Sequence, residues 1–296
     1  MKKRKSLAII GIGRWGRKLL HKFSKIARVS FYYHRGNAEN SKWLKQNYPK
    51  VKSASSYSEL LRNNQIDAVV IATPIKIHYE LAKRALLAGK DVFVEKPLAA
   101  TVSQARELVK LAEKKRRILF VGHIFSYHPA LAKIKQIIHK ELLKYAGFIW
   151  NKWGTFNEEL LPNLGCHDIA TALDLFGDPI KIETLENRGV VTSSSDVVFI
   201  RLSFKNRKSC TIYLNRVSNF KNKTTTLVTN KNIYLWESDQ LFKLNKKDSV
   251  LSLIYKSMKT PLEIECAEFI KCLKTRKKPL TDGRFGLKVV EVLSKI

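Results

Sequence analysis

Short apolar runs alternate with amphipathic stretches over the first 122 residues, and this alternation leaves few folds open to the chain. The apolar runs cover residues 7–10, 29–33, 67–72, 91–94 and 118–121. Between them, apolar residues recur at helical spacing, as at Leu19, Leu20, Phe23 and Ile26. Strands that are apolar on both faces and alternate with helices are typical of a parallel sheet covered by helices on both sides. The first part of the chain is therefore predicted to be an α/β domain with a doubly wound parallel sheet.

A glycine-rich turn, Gly11-Ile12-Gly13-Arg14-Trp15-Gly16, follows the first predicted strand and opens the first predicted helix. This context is the one that a dinucleotide-binding motif requires. Gly11 would permit the tight turn, Gly13 would let the backbone approach a pyrophosphate, and Gly16 would let the helix pack close to the strand. The free N–H groups at the start of the helix would face the phosphates. Residues 11–16 are therefore predicted to bind NAD(P).

The choice between NAD(H) and NADP(H) is expected at the end of the second predicted strand. A carboxylate about twenty residues past the glycines would hold the ribose 2′-hydroxyl of NAD. His34 and Arg35 stand there instead. Arg35 can pair with a 2′-phosphate or stack on the adenine, although a surface arginine can equally face water. The sequence favours NADP(H) over NAD(H).

Two further motifs end strands of the same predicted sheet. Thr73 and Pro74 follow the strand at 67–72, with His78 in the next helix, and Glu95-Lys96-Pro97 follows the strand at 91–94. The carboxyl ends of parallel strands meet at one edge of the sheet, where open α/β sheets bind their ligands. Most Glu-Lys dipeptides are solvated surface pairs, so it is the position of this one that makes it a candidate.

The pattern changes after Gly122. A helix near residues 129–143 leads into longer alternating strands near 147–156, 180–190, 197–204 and 210–217, with shorter strands from 224 to 236. Few helices separate these strands, so the second part is predicted to be an α+β domain with a mostly antiparallel open sheet, covered by helices on one face. Residues 261–296 are predicted to be helical again. The predicted domains are residues 1–122, which bind the cofactor, and residues 123–296.

Candidate catalytic groups of the second domain lie in the stretch "PNLGCHDIATALDLFGDP". Asn163 and His167 are four residues apart on a predicted helix, so they share one face. Asp168 is rotated by about 100° on that helix and cannot replace Asn163. Cys166 is interpreted as a packing residue. A solitary histidine on a helix is more often structural than catalytic, so these residues do not decide the function by themselves.

Taken together, these motifs resemble the family of glucose-fructose oxidoreductase, inositol dehydrogenase and rhizopine-catabolism proteins (Gfo/Idh/MocA). The resemblance covers nearly the whole chain and includes "VGHIFSYHPAL" from Val121 and the closing segment from Pro261. It implies that Lys96 contacts both substrate and nicotinamide, with Glu95 near the cofactor's ribose. It also implies that Thr73 and Pro74 line the nicotinamide side and that His167 lies beside the lysine at the substrate. It implies that residues 123–296 bind the substrate and form the contacts of a homo-oligomer. The C-terminal helices would pack back on the first domain.

The implied reaction is hydride transfer between the nicotinamide and an alcohol or keto carbon of a sugar, sugar nucleotide or cyclitol. His167 would act as general base, and Lys96 would stabilise the charge that develops on the oxygen. Many family members carry Asp at the position of Asn163, and Asn can orient a group but cannot accept a proton. This departure keeps a second hypothesis open, a non-catalytic NAD(P)-binding regulator on the same fold.

The formal net charge of +30 suits an anionic substrate, nucleic acid or an acidic membrane surface. The Lys and Arg residues are spread along the whole chain, however, and no segment alternates basic and aromatic residues as nucleic-acid platforms do. No apolar run approaches the length of a membrane span. The four cysteines are irregularly spaced, which is typical of reduced thiols in a cytoplasmic protein, so no metal site is expected. The expected partner is a small sugar-like substrate, for which the positive charge permits an anionic form.

Overall fold

The computed structural model describes residues 5–34, 38–245 and 247–296. The chain forms two compact units. The first contains the residues up to His123 together with Leu262–Val290, and the second contains Ile124–Pro261 together with Glu291–Ile296.

The first unit is built on a parallel sheet. Its strands are β1 (Ser6–Ile10), β2 (Arg28–Tyr33), β3 (Lys52–Ser53), β4 (Ala68–Ile71), β5 (Asp91–Glu95) and β6 (Leu119–Gly122). They are connected by α1 (Arg14–Ile26), α2 (Ala38–Asn47), α3 (Tyr57–Arg62), α4 (His78–Leu87) and α5 (Val102–Lys114). The strand order is β3-β2-β1-β4-β5-β6. The order therefore reverses between β1 and β4, and such a reversal point is where a Rossmann sheet binds its dinucleotide.

The second unit is built on a larger, mostly antiparallel sheet. Its strands are β7 (Leu143–Trp153), β8 (Lys181–Arg188), β9 (Val197–Phe204), β10 (Lys208–Asn215), β11 (Val217–Thr229), β12 (Ile233–Glu237), β13 (Gln240–Leu244) and β14 (Leu251–Lys256). Their order is β14-β13-β12-β11-β7-β10-β9-β8. Neighbours β7 and β10 pair in parallel. Helices α6 (Pro129–Ile138) and α7 (Cys166–Phe176) belong to this unit. Leu131 and Ile134 of α6 pack in one apolar cluster with Leu227 and Trp236 of the sheet.

The chain ends in two helices, α8 (Pro261–Thr275) and α9 (Gly283–Leu293). Phe269 of α8 packs in the core of the first unit, edge-on to Phe23, Phe93 and Phe120. The ring centroids in these contacts are 5.4–5.9 Å apart. Such edge-to-face packing adds to the stabilisation that comes from burying the rings.

Both parts of the predicted fold class are confirmed: a doubly wound parallel sheet and a mostly antiparallel sheet in an α+β unit. Element ends differ from the predicted ones. The helix predicted to contain His78 is preceded by a 3₁₀ turn, Ile75–Ile77, and is α-helical only from His78 onward. Among the described residues, no helix has both the length and the apolar character that a membrane span needs.

Candidate active site

The glycine-rich turn after β1 has the geometry that a pyrophosphate requires. Gly11 has φ +88°, and a Cβ there would lie 2.5 Å from the carbonyl oxygen of Ala72. A Cβ on Gly16 would lie 2.0 Å from the carbonyl oxygen of Gly11. Any other residue there would therefore prevent the helix from packing this close to the turn. A Cβ on Gly13 would meet nothing within 4 Å, so the backbone there borders open space. No side chain caps the start of α1. Its first N–H groups therefore remain available to phosphate oxygens, and the turn fits a dinucleotide.

The end of β2 is described only as far as His34. The His34 ring stacks on Tyr32 with 5.7 Å between centroids, and its Nε2 lies 3.1 Å from the hydroxyl of Ser41. Burial lowers the pKa of His34, so the ring is neutral at physiological pH. Arg35, on which the predicted NADP(H) preference rests, lies outside the described residues.

The strand register brings the predicted motifs to one edge of the sheet. In the register of the sheet, Ile10 of β1 pairs with Ile71 of β4, and Ile71 pairs with Val94 of β5. Glu95 of β5 pairs with Gly122 of β6. Thus the glycine turn, Thr73-Pro74 and Glu95-Lys96 all follow strands at the same carboxyl edge. These are the positions at which an open α/β sheet presents ligand-binding groups.

His78 connects two of these motifs. Its Nδ1 lies 2.9 Å from the carbonyl oxygen of Pro97, and its Nε2 lies 2.8 Å from that of Thr73. Burial lowers the pKa of His78 by more than the two carbonyl contacts raise it, and the charge of Lys96 lowers it further. A neutral ring donates one hydrogen bond at a time, so it can satisfy either carbonyl but not both. His78 therefore lies between the turn after β4 and the cis Lys96–Pro97 peptide after β5, and donates to one of the two at a time.

Glu95 is buried at the end of β5. Its Oε1 accepts a hydrogen bond of 2.5 Å from the indole Nε1 of Trp15. A Cβ on Gly122 would lie 3.0 Å from the same oxygen, so the neighbouring strand needs a small residue there. Burial raises the pKa of Glu95 to about 7, against the opposing effects of the Trp15 hydrogen bond and the Lys96 ammonium group. Glu95 therefore titrates near neutral pH.

Glu265 of α8 was not singled out by the sequence analysis. Its side chain is fully buried, and neither carboxylate oxygen has a hydrogen-bond partner among the described residues. Burial raises the pKa of Glu265 well above its ordinary value, and the charge of Glu95 raises it further. Burial thus favours the protonated form of the Glu265 carboxyl group. The available signal was its helical spacing with Leu262 and Phe269, which places an acid on the apolar face of α8.

His123, directly after β6, is a second buried polar group that the sequence analysis did not assign to the site. It is 1% exposed, and neither ring nitrogen has a hydrogen-bond partner in the part of the chain that the structure describes. Burial, and then the charge of Lys96, lower the pKa of His123 to about 3. The ring is therefore neutral and packs edge-on against Phe285 with 5.7 Å between centroids.

In the second unit, His167 lies in the first turn of α7 between two aromatic rings. Its ring centroid lies 5.0 Å from that of Phe125, edge-on, and 5.8 Å from that of Trp150. Asn163 lies in a π-helical turn, Leu161–Gly165, directly before α7. Such turns are frequent at functional sites. Since α-helical spacing begins only at Cys166, the shared face of Asn163 and His167 stays a prediction.

Lys223 of β11 is the main residue of the second unit that the sequence analysis missed. Its Nζ lies 3.6 Å from the centroids of both Phe125 and Trp150, the two rings that contact His167. It also lies 3.1 Å from Oδ1 of Asp168. Asp168 is buried, which raises the pKa of its carboxyl group, and the Lys223 ammonium opposes that effect. The sequence alone could not pair the two residues, because they are separated by 55 positions.

Two further aromatic side chains, His128 and Trp236, pack near the rings that contact His167. His128 lies 4.9 Å from Trp236 between ring centroids, and its Nδ1 accepts the backbone N–H of Ala130 at 3.1 Å. Burial lowers the pKa of His128 to about 4, so the ring is neutral. Apart from the Lys223–Asp168 ion pair, the named groups around His167 are aromatic or neutral.

Comparison with known proteins agrees with this geometry. Residues 5–123 match the model of the Gfo/Idh/MocA family, described as an oxidoreductase family with an NAD-binding Rossmann fold. Over these residues, the chain resembles the NAD-binding domain of Gfo/Idh/MocA oxidoreductases. The resemblance inferred from the motifs is therefore confirmed.

Related sequences match this chain over only part of their length. An uncharacterised oxidoreductase of Escherichia coli is 30% identical over 180 residues, which is 56% of this chain and 52% of the relative. The matched part thus spans about half of that protein.

Two solved structures share the fold over nearly the whole chain. UDP-N-acetylglucosamine 3-dehydrogenase from Acidithiobacillus ferrooxidans superposes with a TM-score of 0.91 at 20% identity, covering 100% of this chain and 97% of that one. Levoglucosan dehydrogenase in complex with NADH and levoglucosan superposes with a TM-score of 0.88 at 16% identity, covering 99% and 96%. At these identities the likeness establishes the fold of this chain and nothing finer.

Proposed function

We propose that this protein is an NAD(P)-dependent dehydrogenase or reductase that acts on an alcohol or keto carbon of a sugar-like substrate. The proposal rests on the carboxyl edge of the parallel sheet. The open glycine turn and Glu95-Lys96 both lie there, at the ends of strands that are in register. A bound nicotinamide supplies the hydride chemistry, while the protein supplies geometry and electric field. The proteins of similar fold add support, since they include a UDP-N-acetylglucosamine 3-dehydrogenase and a levoglucosan dehydrogenase.

Lys96 is proposed to donate a hydrogen bond to the reacting oxygen and to stabilise its developing negative charge. Two buried groups support this role. Glu95 precedes it on the chain, and the neutral His123 lies close enough for the Lys96 charge to lower its pKa. His78 would act by positioning, since it holds the Lys96–Pro97 turn through the carbonyl of Pro97.

His167 is proposed to accept the hydroxyl proton when the alcohol is oxidised. Its contacts with Phe125 and Trp150 fix the plane of the ring. Asn163 would orient the imidazole or a substrate hydroxyl but cannot take part in proton relay. Lys223 would hold the two aromatic rings in place, and so act on His167 through them.

The proposed cofactor is NADP(H) in preference to NAD(H). The described end of β2 carries the neutral His34 and no carboxylate that would repel a 2′-phosphate. The proposal predicts tighter binding of NADPH than of NADH and a smaller difference in Arg35→Ala. Equal affinities in the unchanged protein, measured by fluorescence titration, would contradict it.

The class of substrate is tested by turnover. Purified protein with NADP⁺ or NAD⁺ should reduce the cofactor, followed at 340 nm, when given one member of a panel of nucleotide sugars, phosphorylated sugars, free sugars and cyclitols.

Asn163 favours the second candidate, a regulator that binds the cofactor without turning it over. Saturable cofactor binding without turnover across the whole panel would support the regulator. Failure to bind either cofactor would overturn both proposals.

A further inference from the structure

A cavity of about 460 Å³ opens in the first unit at the amino ends of β5 and β6. It is formed by the end of α5, the turn into β6 and the segment between α8 and α9. Since β5 runs from Asp91 to Glu95, this end of the sheet is opposite to the edge that carries Glu95 and Lys96. The cavity is therefore separate from the candidate cofactor site.

The wall of the cavity is strongly cationic. Five basic side chains line it: Arg116, Arg117, Arg276, Lys278 and Arg284. Only two carboxylates, Glu113 and Asp282, line it with them. The Nε of Arg284 donates to Glu113 at 2.5 Å. Among the described residues, Arg116, Arg117 and Lys278 form no direct ion pair. The charge of Lys278 does reach Glu113, whose pKa it helps to lower. Positive charge thus remains uncompensated in the cavity.

One guanidinium group of this wall is held in a fixed position. Arg276 donates two hydrogen bonds to Asp91, at 2.6 and 3.0 Å, and a third to the carbonyl oxygen of Arg116 at 3.0 Å. Asp91 is buried and also accepts the backbone N–H of Ile118 at 2.8 Å. Arg276 and Arg116 both have positive φ, +60° and +51°, a conformation that non-glycine residues adopt only where their surroundings impose it. The Arg276 charge is therefore balanced by Asp91, and the pair fixes this part of the cavity wall.

The floor of the cavity is apolar. Val109, Ala112, Leu119 and Pro279 form it, and all four are buried. The volume falls in the range of small-molecule sites, roughly 300–1,000 Å³. Guanidinium groups match phosphate oxygens with paired N–H donors. An apolar floor under a cationic wall suits a ligand with a flat organic part and a phosphate.

We propose that this cavity binds a nucleoside phosphate, with the base on the apolar floor and the phosphates on Arg117 and Lys278, beside the fixed Arg276–Asp91 pair. The site is independent of the proposed oxidoreductase chemistry, because it lies at the other end of the sheet.

Isothermal titration with ADP, in the presence of saturating NADPH to occupy the dinucleotide turn, tests the proposal at physiological salt. The expected result is saturable binding of one ADP per chain, with a Kd on the order of 100 μM. Arg117→Ser combined with Lys278→Ser should weaken binding about tenfold or more, because two charge-assisted hydrogen bonds are lost. Lys114→Ser combined with Lys277→Ser removes the same charge from neighbouring exposed positions outside the cavity and should change the Kd by less than about twofold.

Pyrophosphate is the second probe. It lacks the base and should bind more weakly than ADP, whereas equal affinity would overturn the nucleoside part of the proposal. Absence of saturable ADP binding, or equal weakening in the two double variants, would overturn the site. Matching urea midpoints of the two double variants would establish that both are folded.

Discussion

Glu265 is a fully buried acid whose two oxygens lack hydrogen-bond partners among the described residues. Burial and the neighbouring Glu95 charge raise its pKa in the folded state above that of the unfolded chain. Such a group contributes stability that is fully present below the unfolded pKa and is lost as the pH rises through the folded pKa. The protein should therefore lose stability between mildly acidic and alkaline pH for this reason.

Glu265→Gln cannot ionise and should escape this loss. At alkaline pH we expect the free energy of unfolding of the variant to exceed that of the parent by about 1–3 kcal/mol. In mild acid this difference should disappear. Urea unfolding at both pH values measures the difference. Glu268→Gln, on the same helix but partly exposed, is the control and should show little pH-dependent change. A constant difference across the pH range would contradict the assignment.

Lys223 contacts Phe125 and Trp150 through its ammonium group, and both rings also contact His167. Lys223→Met should lower kcat on the true substrate by on the order of tenfold to a hundredfold, because small displacements of a catalytic group are costly. The Kd for NADPH should stay unchanged. Lys221→Met, an exposed lysine two residues earlier on β11, serves as the control. Parental kcat in Lys223→Met would remove the positioning role.

At the scale of elements, the parallel sheet could be predicted because its strands are buried on both faces and appear as uninterrupted apolar runs. All five residues of β1 and of β5 are buried. The two-residue β3 and the six-residue α3 are too short to show a clear periodicity of apolar residues, so the sequence did not predict them. Pairing order in the second sheet could not be predicted either, since the parallel contact between β7 and β10 joins strands far apart in sequence.

The same limit applies to the candidate site. Gly11, Gly13 and Gly16 could be interpreted from the sequence because their roles are local and steric. Lys223 and Glu265 could not, because their importance depends on partners brought close only by folding. The role of Arg35 stays a prediction.

One buried ion pair fixes the segment that leads to the π-helical turn. Arg216 and Asp196 are both 0% exposed and are joined at 2.7 Å. Arg216 also donates to the carbonyl oxygens of Thr155 and Glu158, while Asp196 accepts three backbone N–H groups from residues 190–192. Burial would raise the pKa of Asp196, but these donors outweigh it and hold the pKa well below its ordinary value.

Arg216→Met should destabilise the protein by about 3–5 kcal/mol, because it leaves a buried carboxylate without its cation. Lys181→Met, which breaks the exposed Lys181–Glu183 pair, should cost at most about 1 kcal/mol. Urea unfolding of both variants at neutral pH provides the comparison. Equal costs would contradict the importance given to the buried network.

At the scale of the whole molecule, the net charge of +30 has to be reconciled with a small-molecule function. The basic residues are dispersed along the chain, which predicts weak and steeply salt-dependent attraction to nucleic acid. A gel-shift titration with duplex DNA and with RNA should show no saturable complex at about 0.15 M salt. Tight binding at that salt concentration would require a nucleic-acid role.

The central claim is that Lys96 acts on the reacting oxygen at the carboxyl edge of the parallel sheet. The most direct measurement is kcat of Lys96→Ala on the substrate identified by the turnover panel, together with its Kd for NADPH. Lys76→Ala, an exposed lysine in the turn after Thr73-Pro74, is the matched control for loss of charge. We predict that Lys96→Ala loses on the order of 10²–10³ in kcat with nearly unchanged cofactor affinity, while the control keeps parental kcat. Near-parental turnover by folded Lys96→Ala would contradict the account.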